Sequence, residues 1–234
     1  MTTLNSAAVL VTGANGGLGR EFVRQALDRG ARKVYASARS PRVWDDERIV
    51  PLALDVTGAE SIAAAARAAA DATVVINNAG TTAPGRLLDT TLDDVRKLFE
   101  TNVFGPLGVA RAFAPVLAAN GGGALVDIHS ALSWVARGGA YSATKAALWS
   151  LTNSLRLELA GQGTQVVGVH LGYTDTPMIA ALDVHKEDPA DIVREVYNGL
   201  ETGEYEVLAD DTSRFVKGRL SQPLTVLYPE LSRA

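Results

Sequence analysis

Cysteine is absent from the 234-residue chain. That excludes disulfides, thiolate nucleophiles and cysteine metal sites. Charge of neither sign dominates: Lys plus Arg number 22 and Asp plus Glu 26, a net charge of −4. With no basic stripe, the chain does not advertise itself to nucleic acid or to an anionic membrane. No internal repeat or low-complexity tract breaks it up. No apolar run looks long enough to span a bilayer, and Met1 to Ser6 lacks the basic-then-apolar layout of a signal peptide. A soluble, cytoplasmic protein is expected, with no membrane or nucleic-acid partner.

What is present is 47% hydrophobic residues, enough for one sizeable α/β domain over residues 1–234. Ala7 to Val11 is a short apolar run ending in Thr12-Gly-Ala-Asn-Gly-Gly-Leu-Gly19, and Phe22, Val23, Ala26 and Leu27 follow at helical spacing. Strand, glycine-rich turn and helix in that order suit a diphosphate, which needs close backbone approach and the free N–H groups of a first helical turn. The spacing Gly-x-x-x-Gly-x-Gly differs from the commoner dinucleotide fingerprint, and an ordinary βα connection has the same order of elements.

Lys33 to Ser37 reads as a second strand, with Ala38 and Arg39 after it and no carboxylate before Asp45. In dinucleotide folds this strand end meets the adenosine ribose, where an acid binds a free 2′-hydroxyl and an arginine pairs with a 2′-phosphate. NADP(H) is therefore the expected cofactor, with Arg39 as its fork and Asn15 and Arg42 as helpers. Ile49 to Leu54 and Thr73 to Ile76 are further strands, and the alanine-rich Glu60 to Ala70 is a helix by propensity. This alternation indicates a doubly wound parallel sheet whose ligands sit at the carboxyl ends of the strands, where Asp55, Asn77 and Asn78 fall.

After a polar loop over 81–86, Leu92 to Ala118 reads as a long helix carrying Asn102, with Gly105 and Pro106 suggesting an opened turn that could hold a water. Ala124 to Ile128 is a fifth strand, and Ser130 follows its end, where a hydroxyl can stabilise charge on a substrate oxygen. His129 reads as structural. A helix from Ser142 to Gln162, strands at Gln165 to Leu171 and Tyr205 to Ala209, and helices at Pro189 to Leu200 and Thr212 to Ser221 complete the expected chain.

Tyr141 and Lys145 lie one helical turn apart. An ammonium held beside a phenol favours the phenolate and lowers its pKa, so the tyrosine can exchange a proton with a carbonyl oxygen. The same spacing alone also fits an amphipathic helix start with a solvated lysine.

Taken together, Thr12-Gly-x-x-x-Gly-x-Gly19, Asn77-Asn-Ala-Gly80 and Tyr141-x-x-x-Lys145 resemble the cofactor loop, strand-four motif and catalytic pair of the short-chain dehydrogenase/reductase family, over residues 7 to 180. Asn102 and Ser130 complete the resemblance. It implies a single-domain Rossmann fold with a seven-stranded sheet and reversible hydride transfer between a nicotinamide and a carbonyl/alcohol pair. By that likeness Ser130 polarises the substrate oxygen, Tyr141 exchanges the proton, Lys145 binds the nicotinamide ribose and depresses the tyrosine, and Asn102 positions a relay water. The implied cofactor contacts are Gly13, Asn15, Gly17, Leu18, Gly19, Arg39, Asp55, Val56, Asn78, Ala79, Gly80, Tyr141, Lys145, Gly172, Thr174 and Thr176, with no metal.

This chain departs from the family pattern in two places. Ser130 lies 11 residues before Tyr141, a shorter interval than usual, which makes Ser133 a rival for the polarising role. Leu171-Gly172 replaces the usual Pro-Gly. A short loop after Met178 predicts an open pocket lined by Leu132, Trp134, Tyr173 and Met178, suited to a hydrophobic or aryl ketone. The alternatives are a reductase of carrier-bound 3-oxoacyl groups and a non-catalytic NADP-sensing regulator. A homodimer or homotetramer is expected.

Overall fold

Strands buried on both faces read as unbroken apolar runs, and Ala8–Thr12 forms the first of them, β1, with all five residues buried. The computed structural model describes residues 2–83 and 85–233. Pro84, inside the loop expected at 81–86, lies outside the described residues. Six further strands follow: β2 (Lys33–Ala38), β3 (Ile49–Ala53), β4 (Val74–Asn77), β5 (Ala124–Ile128), β6 (Gln165–His170) and β7 (Glu206–Leu208). They form one seven-stranded sheet in the order β3-β2-β1-β4-β5-β6-β7, and each pairing is parallel. The order reverses between β1 and β4, and at such a switch point the flanking connections part to leave a crevice above the strand ends.

Successive side chains on a strand face opposite ways, so the sheet builds a core on each side. Val9 and Val11 pack on one face with Phe22 and Val23 of α1 (Gly17–Asp28) and Val196 and Tyr197 of the helix Pro189–Thr202. Leu10 on the other face joins Ile62 of α2 (Ala59–Ala68), Phe113 and Leu117 of the helix Gly105–Ala119, and Leu155 of the helix Ala140–Glu158.

Several boundaries differ from expectation. The first helix starts at Gly17, ahead of the apolar spacing that begins at Phe22, which puts the last two loop glycines inside its first turn. The stretch expected as one helix from Leu92 to Ala118 divides into α3 (Leu92–Phe99), a π-helical turn at Glu100–Phe104, and α4 (Gly105–Ala119). By length and composition this path from Leu92 to Ala119 could cross a membrane, contrary to the sequence expectation. Its apolar residues Leu98, Val109, Phe113 and Leu117 are instead core side chains. The next helices are α5 (Ala140–Glu158), α6 (Pro189–Thr202), α7 (Asp211–Lys217) and a short α8 (Leu224–Leu227) that periodicity had not indicated.

Candidate active site

The glycine loop at the end of β1 is built so that side chains cannot fill it. Gly13 (φ +68°) and Gly17 (φ +50°) adopt left-handed conformations. A Cβ on Gly19 would lie 2.2 Å from the Gly13 carbonyl oxygen, and one on Gly17 would press within 3.0 Å of Thr176. The N-cap, Gly16, offers no side-chain bond to the helix end, and no acid occupies the first turn. Gly17 and Leu18 thus open a helix N-terminus suited to an anion.

Asn78 braces this loop from β4, donating through Nδ2 to the carbonyls of Thr12 (2.8 Å) and Gly13 (3.3 Å). The Thr12 hydroxyl accepts from the backbone N–H groups of Asn78 (3.0 Å) and Ala79 (2.9 Å). Asn15 also acts as a brace, bonding Ser40 O and the Arg42 N–H. Arg39 stands exposed at the end of β2. It is close enough to Asp55 to help hold that carboxyl below its ordinary range, behind the stronger effects of the Thr57 N–H and hydroxyl. Val56 packs against Gly105.

Across the switch point, Ser130 caps a turn of 3-10 helix at Ala131–Ser133, its hydroxyl accepting from Leu132 N at 3.1 Å and donating to Leu171 O at 3.4 Å, and it is near enough to the Tyr141 phenol to favour the ionised form. Lys145 Nζ is buried and donates to Ile128 O at 2.7 Å, 5.7 Å from the centre of the Tyr141 ring. Gly80 joins the two halves: a Cβ there would lie 3.4 Å from Asn102 Oδ1 and 3.8 Å from Lys145 Nζ. Asn102 is fully buried in the π turn. Its side chain accepts from Thr81 N and donates to Thr81 O, both at 2.8 Å, and donates to Thr144 Oγ1 at 3.1 Å. The sequence reading missed Thr81 and Thr144. An asparagine inside a helix that must find partners was their only signal.

Ser133 turns away from Tyr141: its hydroxyl lies 2.6 Å from Ser130 O and 3.0 Å from His170 Nδ1. Gly172 donates its N–H to Asp210, the N-cap of α7. Thr174 is buried with no partner for its Oγ1. A loop in which a Cβ on Gly13, Gly17 or Gly19 would clash leaves its backbone open to the close approach of a large polar cofactor. Among the expected pocket residues, Tyr173 and Met178 are exposed, whereas Trp134 is committed to stacking on His170 at 3.7 Å.

The electrostatics correct one expectation. Burial pushes the Tyr141 phenol up to about 12, against a lowering contribution from Ser130. Burial also drives Lys145 down to about 8. Burial, which disfavours the charged phenolate, is the larger effect on Tyr141, and the Lys145 ammonium spends a bond on the Ile128 carbonyl.

Residues 7–187 match the family model described as short chain dehydrogenase. An uncharacterized oxidoreductase of Staphylococcus aureus strain N315 is 30% identical over 217 residues, covering 86% of this chain and 93% of that one. The crystal structure of a short chain dehydrogenase from Burkholderia cenocepacia in complex with NADP is 35% identical, with a TM-score of 0.92, and covers 98% of this chain and 99% of that one. A short chain dehydrogenase/reductase from Burkholderia phymatum in complex with NAD shares the fold at 21% identity, with a TM-score of 0.82 and coverage of 94% of each chain.

Proposed function

Because the chain belongs to the short-chain dehydrogenase/reductase family of oxidoreductases, we propose that it transfers hydride between NADP(H) and a small carbonyl/alcohol substrate. A hydrophobic or aryl ketone, or the matching secondary alcohol, is the favoured substrate. The observation that carries this reading is the placement of buried Lys145, with Nζ 5.7 Å from the centre of the Tyr141 ring, opposite the glycine cradle.

The nicotinamide, when bound, supplies or accepts the hydride. Gly13, Gly17, Leu18 and Gly19 would hold its diphosphate, Arg39 the 2′-phosphate, and Lys145 the ribose. The NADP-bound relative supports that cofactor. With its pKa raised, Tyr141 keeps its proton at neutral pH and donates it to the substrate oxygen as the carbonyl is reduced. Ser130, beside the same phenol, would share the developing charge. A π turn leaves a main-chain carbonyl without its helical partner, and at Asn102 this is where a relay water would bind.

Exposed apolar side chains at Tyr173, Met178, Leu182 and Val184 support an open mouth for an apolar substrate. We also assign the chain a soluble, cytoplasmic setting and a homodimeric or homotetrameric state, to which exposed Phe104 and Leu157 would contribute apolar contacts. The test follows NADPH absorbance across aliphatic, aryl and cyclic ketones. Oxidation of NADPH by at least one apolar ketone is expected. Tight NADPH binding with no ketone reduced would mark a sensor instead.

A further inference from the structure

Behind the catalytic serine runs a buried chain of side chains that the proton-transfer step does not use. Asp127 Oδ2 lies 2.7 Å from Thr152 Oγ1, which lies 2.8 Å from His129 Nε2. His129 Nδ1 is 3.2 Å from His170 Nε2, and His170 Nδ1 is 3.0 Å from Ser133 Oγ and 3.2 Å from Ser130 O. Asp127, His129, Ser133, Thr152 and His170 are all buried. The chain is closely packed: Trp134 stacks on His170, and a Cβ on Gly168 would come within 2.7 Å of His129 Cε1.

The end next to Ser130 fixes the direction of every bond. Ser133 has one proton, and the 2.6 Å contact with the Ser130 carbonyl uses it. His170 Nδ1 faces that hydroxyl oxygen and the same carbonyl, so it must donate. In a neutral ring, Nε2 is then bare and accepts from His129 Nδ1–H. His129 Nε2 is bare in turn and takes the single proton of Thr152. Leu148 O, also 2.8 Å from Thr152 Oγ1, has a backbone donor in the α5 ladder and a second lone pair that needs none, whereas a bare His129 Nε2 has no other donor. The 2.7 Å contact with Asp127 therefore needs a proton from the acid. Moving that proton along the chain would leave Asp127 as a carboxylate and His170 as an imidazolium, with the proton count unchanged.

We propose that His170 and His129 are positioning residues: a neutral pair, both protonated on Nδ1, that holds the Ser130 turn in register with Tyr141 and is anchored by a protonated Asp127. The proposal rests on the reductase reading for its kinetic consequence only. The charged groups facing the pair are Lys145 and Arg156 on α5, Lys217 on α7, and Glu206 on β7. Glu206 lies 3.7 Å from His170 Nε2, beyond hydrogen-bond reach, and is held by Lys217 at 2.8 Å. Burial favours the uncharged form at both ends, holding His170 down at about 3 and Asp127 above its ordinary range.

The test combines imidazole nitrogen NMR on the full-length protein at pH 6 with kinetics on the ketone reduced fastest. Both buried rings should show the neutral Nδ1–H tautomer. An Nε2–H tautomer or a cationic ring at either position would overturn the assignment. His170→Phe should lower kcat by about 10- to 100-fold, with the NADPH Kd within about twofold of wild type. His170→Asn, whose amide can donate where Nδ1–H did, should recover most of that loss. Asp127→Asn should stay within about threefold of wild type, since an amide N–H replaces the acid O–H. A loss of about tenfold or more in Asp127→Asn, or equal losses in His170→Phe and His170→Asn, would contradict the proposal. Ser133→Ala, nearly unchanged in volume, repeats the kcat arm should His170→Phe not fold, and an unchanged kcat there also contradicts it. The tautomer measurement needs no turnover, so it stands apart from any failure of the reductase reading.

Discussion

At the scale of single residues, half-buried Tyr141 and buried Lys145 dominate the chemistry, and their pKa shifts have opposite signs. Tyr141, raised to about 12, stays a phenol through the neutral range. Carbonyl reduction should therefore hold nearly level from pH 6 to pH 8, whereas alcohol oxidation, which needs the phenolate, should climb steadily on the alkaline side; initial rates in both directions across pH check this. Lys145, lowered to about 8 from 10.5, is charged at a cost in the folded state at pH 7. That cost is present in full below pH 8 and is relieved between pH 8 and 10.5, where the unfolded chain holds more protons. Lys145→Met should be more stable than wild type at pH 7 by about 2–3 kcal/mol. Urea unfolding at pH 7 and pH 9.5 should show the gap narrowing, and equal gaps would contradict a buried, strained ammonium. Arg39→Asp should shift the NADPH to NADH preference towards NADH, read as the ratio of kcat/KM values, because a carboxylate repels the 2′-phosphate and accepts from a free hydroxyl.

At the scale of elements, the glycine loop and the π turn act as rigid mounts. Gly19→Ala should abolish cofactor binding in calorimetry, because the new methyl would occupy the space of the Gly13 carbonyl. Asn102→Ala strands the Thr81 N–H and carbonyl that its amide serves. It should cost about 2–4 kcal/mol in chemical denaturation and lower kcat together with stability. The sequence foreshadowed this element, since Asn102 followed by Gly105 and Pro106 reads as a broken turn. The type of break was not legible, nor was Thr81 as the partner of Asn102, because the partner lies 21 residues away. The strands were legible to within a residue or two, since a parallel strand buried on both faces is a short apolar run. The chain from Asp127 to His170 was not. Each of its residues looks ordinary alone, and only the pairing of β5 with β6 brings His129 and His170 together. The direction of the Tyr141 shift was likewise hidden, since spacing shows a neighbouring charge but not the desolvation that raises the phenol.

At the scale of the molecule, the crevice joins the two halves of the sheet. The glycine loop belongs to β1, Ser130 to the end of β5, and Thr176 reaches back to touch Gly17 from beyond β6. A dinucleotide spanning this crevice bonds the halves together and stabilises only the folded state. At a concentration of 100 times its Kd, NADPH should add about 2.7 kcal/mol. Thermal unfolding with NADPH and NADH at equal concentration should give the larger rise in Tm with NADPH, and equal rises would remove the argument from Arg39.

The whole account turns on the phenol of one tyrosine as proton donor in a preformed crevice. Tyr141→Phe, compared with wild type on the best ketone and titrated with NADPH, tests it most directly. The account predicts that turnover falls below detection while the NADPH Kd stays within about threefold, since the hydroxyl acts on the substrate and not on the diphosphate. A Tyr141→Phe enzyme that still reduces the ketone at a comparable rate would contradict it.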